Sequence, residues 1–139
     1  VVKFVGGVDV GKAINPQSCR QQNEGSIITG LGATLNEELV YDNGQAVNPS
    51  FLEYKLPTFL DMPDALQTVE VETAHREGPY GAKGMGEAAV APVAPAILNA
   101  IRDAVGAELR DLPITPEKVL AACAREGGNA GHGRDHTTR

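Results

Sequence analysis

A long apolar repeat that carries its own helix breakers constrains this chain most. Ile27, Ile28, Leu31, Leu35 and Leu39 recur at three- and four-residue intervals, the spacing of one helix face. Asn15-Pro16 ahead of them favours a turn, so the pattern predicts a helix over Ser18–Leu39. Gly25, Gly30 and Gly32 fall inside it, each costing up to about 1 kcal/mol of helix propensity relative to Ala. A helix that keeps all three needs close approach by another backbone or a ligand, or tight packing on a sheet.

The other elements follow from local chemistry. The first ten residues are Val-rich and read as a strand, one whose preceding chain lies elsewhere, so that the chain reads as a fragment. Asn43-Gly44 between Val40-Tyr41 and Gln45-Ala46-Val47 predicts a hairpin. Pro49, Pro57 and Pro63 argue against regular structure from Asn48 to Pro63, although Phe51, Leu52, Leu56, Phe59 and Leu60 make that loop apolar enough to lie against something. Thr68–Thr73 alternates and predicts a half-buried strand with Val69 and Val71 facing one way. A helix is expected over Pro95–Val105, stopped by Gly106, then a short strand over Leu109–Leu112. Thr115-Pro116-Glu117 opens a last helix with a cap, a proline and a first-turn acid. Residues 126–139 have little to bury and read as a disordered tail. The fold expected is α+β and two-layered, with helices packed on a small, mostly antiparallel sheet. The domain is placed at residues 1–125.

Composition narrows the classes of function. The 139 residues carry a formal net charge of −6, so neither nucleic acid nor an anionic membrane is an expected partner. Cys19 and Cys123 stand far apart with no Cys-x-x-Cys, which leaves no zinc ribbon or iron–sulfur site to assemble from this chain. His132 and His136 fall in the tail, where the glycines favour a solvated segment over a metal site. No apolar run reaches the ~18 to 20 residues that span a bilayer, and no signal peptide is seen; a cytoplasmic location is expected.

Glu87 is the carboxylate that stands out. It follows Gly78, Gly81, Gly84 and Gly86, where unencumbered backbone can approach a ligand closely. A carboxylate there can act as general base; the plainer reading is an acid sitting well in a helix's first turn. The run lacks the Walker and GxGxxG patterns of phosphate loops. Gln22 can offer a bidentate amide to a heterocycle such as a pterin, or simply face solvent. His75 and Arg76 precede the loop, but no nucleophile pairs with them by spacing.

Five motifs occur in order: Val8-Asp9-Val10-Gly11-Lys12-Ala13-Ile14-Asn15-Pro16, Gln22-Asn23-Glu24-Gly25, Thr29-Gly30-Leu31-Gly32, Asn48-Pro49-Ser50-Phe51, and Gly81-Ala82-Lys83-Gly84-Met85-Gly86-Glu87. Together they resemble the C-terminal part of the molybdenum-binding large subunit of the xanthine dehydrogenase/aldehyde oxidase family. Leu112-Pro113-Ile114-Thr115-Pro116-Glu117 resembles that subunit's ending. The resemblance implies a molybdenum–molybdopterin cofactor, plain or in a dinucleotide form. It further implies oxidation of an aldehyde or N-heterocycle C–H with oxygen derived from water. Glu87 maps onto the family's catalytic base, Gln22 onto its pterin-contacting glutamine, and Lys83 and Gly84 onto the loop beside the cofactor. Iron–sulfur clusters and flavin are implied on partner domains or subunits, and the rest of the molybdenum-binding subunit as the immediate partner. Family subunits are several times longer, so the alternative is a non-catalytic fragment or interaction module that keeps the fold and binds a partner through Phe51–Leu60.

Overall fold

The computed structural model describes residues 1–129. β1 (Lys3–Asp9) leads into α1 (Pro16–Leu35), then β2 (Tyr41–Asp42), β3 (Gln45–Ala46), β4 (Ala65–Val71), α2 (Val93–Val105) and α3 (Pro116–Asn129). The α+β, two-layer class is as expected. The direction of the main ladder is a correction: β1 and β4 pair in parallel, Lys3 opposite Ala65 through Asp9 opposite Val71, while the short β2–β3 hairpin and the isolated Gly11–Ala82 bridge are antiparallel. The reason is the connection. Parallel neighbours need a crossover that a helix can supply, and α1 lies between the two strands in sequence and packs on both.

α1 begins two residues before the expected Ser18. Asn15 caps it, its side chain accepting from the Ser18 N–H at 3.1 Å, with Pro16 in the opening turn. It closes at Leu35, because Asn36 and Glu37 both donate to the Gly32 carbonyl; Leu39 therefore leaves the stripe and is exposed. Ile27 and Leu31 enter a buried cluster with Ala89, Val93, Ile97 and Ile114. Glycine explains how closely the layers approach. A Cβ on Gly30 would lie 2.6 Å from the Val93 side chain, and one on Gly6 of β1 would lie 2.5 Å from Ile27 Cδ1, whereas one on Gly25 would meet nothing.

β4 starts earlier than the alternation suggested. Val69 and Val71 do share a face, but it points away from α1 and leaves them 51% and 47% exposed. Thr68 and Glu70 take the inner side instead, where Glu70 accepts from the Nδ2 of fully buried Asn23 at 3.4 Å. The Asn23 Oδ1 has no hydrogen-bond partner and lies against Gly6. The hairpin forms as expected, with Asn43 and Gly44 both at positive φ.

α2 starts at Val93, with Pro92 and Pro95 in its opening turns, and Gly106 ends it in the left-handed conformation. The short strand expected over Leu109–Leu112 does not form; these residues run as bends and irregular chain. The Ile114 N–H bonds instead to the Thr34 carbonyl of α1. The expected tail is corrected at its start, residues 126–129 continuing α3; residues 130–139, with His132 and His136, lie outside the described residues. No helix among the described residues is long and apolar enough to cross a membrane. The Asn48–Pro63 loop is irregular as expected, but Phe51, Leu52, Phe59 and Leu60 are each more than four-fifths exposed.

Two glycines of one helix should therefore respond oppositely to the same change. Gly30→Ala is expected to cost about 1–3 kcal/mol through overpacking against Val93, while Gly25→Ala should be neutral or stabilising by up to about 1 kcal/mol. Urea unfolding midpoints check both, and equal shifts would contradict the close α1–α2 approach.

Candidate functional site

The parallel register sends the C-terminal ends of β1 and β4 to one edge of the molecule. In sheets of this kind, ligands bind outside the carboxyl ends of the strands. Here the chain leaving β1, the first turns of α1 and the glycine-rich loop surround a cleft of about 350 Å³, lined by Val10, Lys12, Ser18, Gln22, Lys83 and Met85 among others. A larger groove of about 670 Å³ runs between β1 and α2; it is apolar and holds none of the candidate site residues.

The loop reaches this edge through backbone pairing. Lys12 N–H and His75 N–H both donate to the Gly81 carbonyl, at 2.8 and 2.9 Å, and Lys83 N–H donates to the Val10 carbonyl at 3.0 Å. Gly11 makes this possible. Its φ is +66°, and a Cβ there would sit 2.8 Å from the Lys83 nitrogen. Gly84 and Gly86 have open space where a side chain would be, so their backbone is free to face a ligand.

Gln22 and Lys83, singled out by sequence, line the same cleft. Gly84 lies next to Lys83 and is exposed. Glu87 is also exposed and lies two residues beyond Met85 of the cleft wall, outside the lining itself. Its segment is tied to the Gln22 turn: the Ser26 hydroxyl lies 2.7 Å from the Gln22 carbonyl and 3.1 Å from the Gly86 carbonyl, and its single proton is shared between them. His75 has a local role, its Nδ1 accepting from the Glu77 N–H.

Three contributors escaped the sequence reading. Ser26 is one. Lys12, paired with Glu72 at 2.7 Å, is another. The third is Asp9, whose Oδ1 accepts from the Gly11 N–H at 2.9 Å and the Thr73 N–H at 3.2 Å, while its Oδ2 accepts from Lys83 Nζ at 2.7 Å. The Lys83 ammonium, followed by the Gly11 amide, holds the Asp9 carboxyl well below the usual carboxylate range against a small opposing effect of burial. The sequence signal was an acid ending a Val-rich strand before a Val-Gly-Lys turn, within the first of the five ordered motifs.

The lining suits a polar heterocycle: Gln22, Ser18 and Lys12 border the cleft, the Lys12 ammonium being paired with Glu72, and Gly84 beside them is exposed. Among the described residues no group of three or more His, Cys, Asp or Glu comes together that could hold a metal ion directly.

Comparison with known proteins places this arrangement in a class. Residues 1–63 match the molybdopterin cofactor-binding domain family. The chain is 35% identical over 126 residues to the 6-hydroxypseudooxynicotine dehydrogenase complex subunit gamma of Paenarthrobacter nicotinovorans, covering 88% of this chain and 16% of that one. It is 38% identical over 113 residues to a putative xanthine dehydrogenase molybdenum-binding subunit of Escherichia coli (strain K12), covering 80% and 15%. The quinoline 2-oxidoreductase structure from Pseudomonas putida 86 superposes with a TM-score of 0.77 at 34% identity, over 85% of this chain and 15% of that one. The chain belongs to the molybdopterin-binding region of the xanthine dehydrogenase/aldehyde oxidase family, and spans about one sixth of the length of these relatives.

Two measurements test the geometry. Ser26→Ala is expected to cost about 1 kcal/mol and to speed hydrogen exchange at Val90, whose N–H donates to the Glu87 carbonyl; unchanged exchange there would contradict the Gly86 tether. Because the Asp9 carboxyl is depressed, its contribution is complete above the ordinary carboxylate pKa near 4 and is lost as pH falls below it. The melting-temperature gap between wild type and Asp9→Asn should thus hold steady from about pH 7 to 5 and close in acid.

Proposed function

We infer that this chain forms one wall of the active site of a molybdenum hydroxylase, contributing the general base and a pterin contact. The observation that carries the reading is the cleft that joins Gln22 of α1 to Lys83 of the glycine-rich loop, with the Glu87 segment fastened to the same turn of α1 through Ser26 and Gly86. When bound, the molybdenum–molybdopterin cofactor supplies two-electron oxidation of a substrate C–H, the metal being held by the dithiolene of its pterin.

The residues of this chain have separate tasks. Gln22 donates and accepts through its amide at the pterin edge. Lys83 and Gly84 bring the loop backbone alongside it. Glu87 accepts the proton released as water-derived oxygen becomes nucleophilic, the part a positioned carboxylate plays in general base catalysis. The substrate class is an aldehyde or an N-heterocycle. Electrons leave through iron–sulfur and flavin groups on partner domains or subunits, and the remaining part of the molybdenum-binding subunit encloses the other walls. The exposed Phe51, Leu52, Phe59 and Leu60 favour the loop as a contact face for that remainder, since apolar patches of this kind mark interaction sites.

In the assembled enzyme, Glu87→Gln should leave molybdenum and pterin content unchanged and lower kcat by roughly 10²- to 10⁴-fold, the usual worth of a positioned base. Gln22→Ala should instead lower pterin retention. Turnover by Glu87→Gln at the wild-type rate would remove Glu87 from the reaction and leave the non-catalytic interaction module as the better reading.

A further inference from the structure

We propose that Asp9 is a positioning residue for Glu87, acting through Lys83 to fix the near end of the loop segment that presents the base. This rests on the reading of Glu87 as the base; the anchoring itself is independent of it.

The segment from Lys83 to Glu87 is suspended between two attachments. At the far end, the Gly86 carbonyl meets the Ser26 hydroxyl. At the near end, Lys83 is held twice: its N–H donates to the Val10 carbonyl, and its ammonium donates to Asp9 Oδ2 at 2.7 Å. Between them lie Gly84 and Met85, and a side chain at Gly84 or Gly86 would touch nothing. With no packing of its own at either glycine, the span is held by its two ends and by half-buried Met85 between them.

Asp9 is built to hold that end. Its other oxygen accepts from the backbone N–H groups of Gly11 and Thr73, so one carboxylate ties together the turn after β1, the chain leaving β4 and the loop. The two backbone bonds fix the carboxylate in place, and the lysine is then drawn to a stationary partner. Exposed ion pairs contribute little to stability, and Lys83 and Asp9 are 31% and 36% exposed. The consequence lies in where the loop sits, to which the rate of proton transfer is sensitive on the scale of an ångström.

Two variants break the pair from opposite sides. Asp9→Asn keeps an oxygen for Gly11 and Thr73 but removes the charge; Lys83→Met leaves Asp9 on its backbone partners. In the assembled enzyme each should retain molybdenum and pterin and lower kcat roughly tenfold with little change in KM. Each should also speed amide exchange roughly tenfold at position 83, whose N–H donates to the Val10 carbonyl. The double variant should be no worse than either single, as expected for two residues of one interaction. Wild-type exchange at position 83 in either variant, or effects that multiply in the double, would overturn the proposal. So would pterin loss confined to Lys83→Met, which would put the lysine on the cofactor instead. The exchange readout does not depend on Glu87. If Glu87→Gln proves fully active while Asp9→Asn still loosens the loop, the base assignment fails and the latch stands.

Discussion

The structure depends on how closely α1 approaches what lies on either side of it. On one side Ile27 rests on β1 where Gly6 leaves room, and on the other Val93 rests on α1 where Gly30 leaves room. Both contacts feed a single buried cluster. A parallel pair of strands needs such a crossover helix, and a crossover this tight fixes the height of the α1 N-terminus above the strand ends. Gln22 and Ser26, early in that helix, therefore stand beside the loop that crosses the same edge.

The site is an edge phenomenon. Lys12, Gly81, Lys83, Val10 and His75 are joined by backbone hydrogen bonds that bring the glycine-rich loop to the ends of β1 and β4. Asp9 adds side-chain bonds at the same place. What this edge presents is Gln22, Ser18 and the exposed backbone of Gly84, with the Lys12 and Lys83 ammonium groups held by Glu72 and Asp9. The chain covers about one sixth of its relatives' length, and Phe51, Leu52, Phe59 and Leu60 stand bare on its surface.

Parts of this were legible residue by residue. Asn43-Gly44 specified its turn because both positions must adopt positive φ, and they do. Gly106 stopped α2 for the same reason. The stripe through Ile27 and Leu31 was legible because helical period survives any context. The misreadings share a cause: they concern which of two equivalent choices the surroundings select. Alternation in β4 showed that Val69 and Val71 share a face, but the side of the sheet that α1 covers took Thr68 and Glu70 instead. Leu109–Leu112 had strand-like character, but no neighbouring strand offers it hydrogen bonds, whereas Thr34 offered one to Ile114.

By itself the sequence determined the helices, the turns, the glycine positions and the ordered motifs that place the chain in its family, because each depends on backbone preferences or side-chain chemistry within a few residues. Tertiary structure decided the parallel ladder, the face each strand shows to α1, and the partnership of Asp9 with Lys83. These are contacts between residues remote along the chain, made only when strand ends, helix and loop are brought to one edge. Local pattern carries no record of such distances.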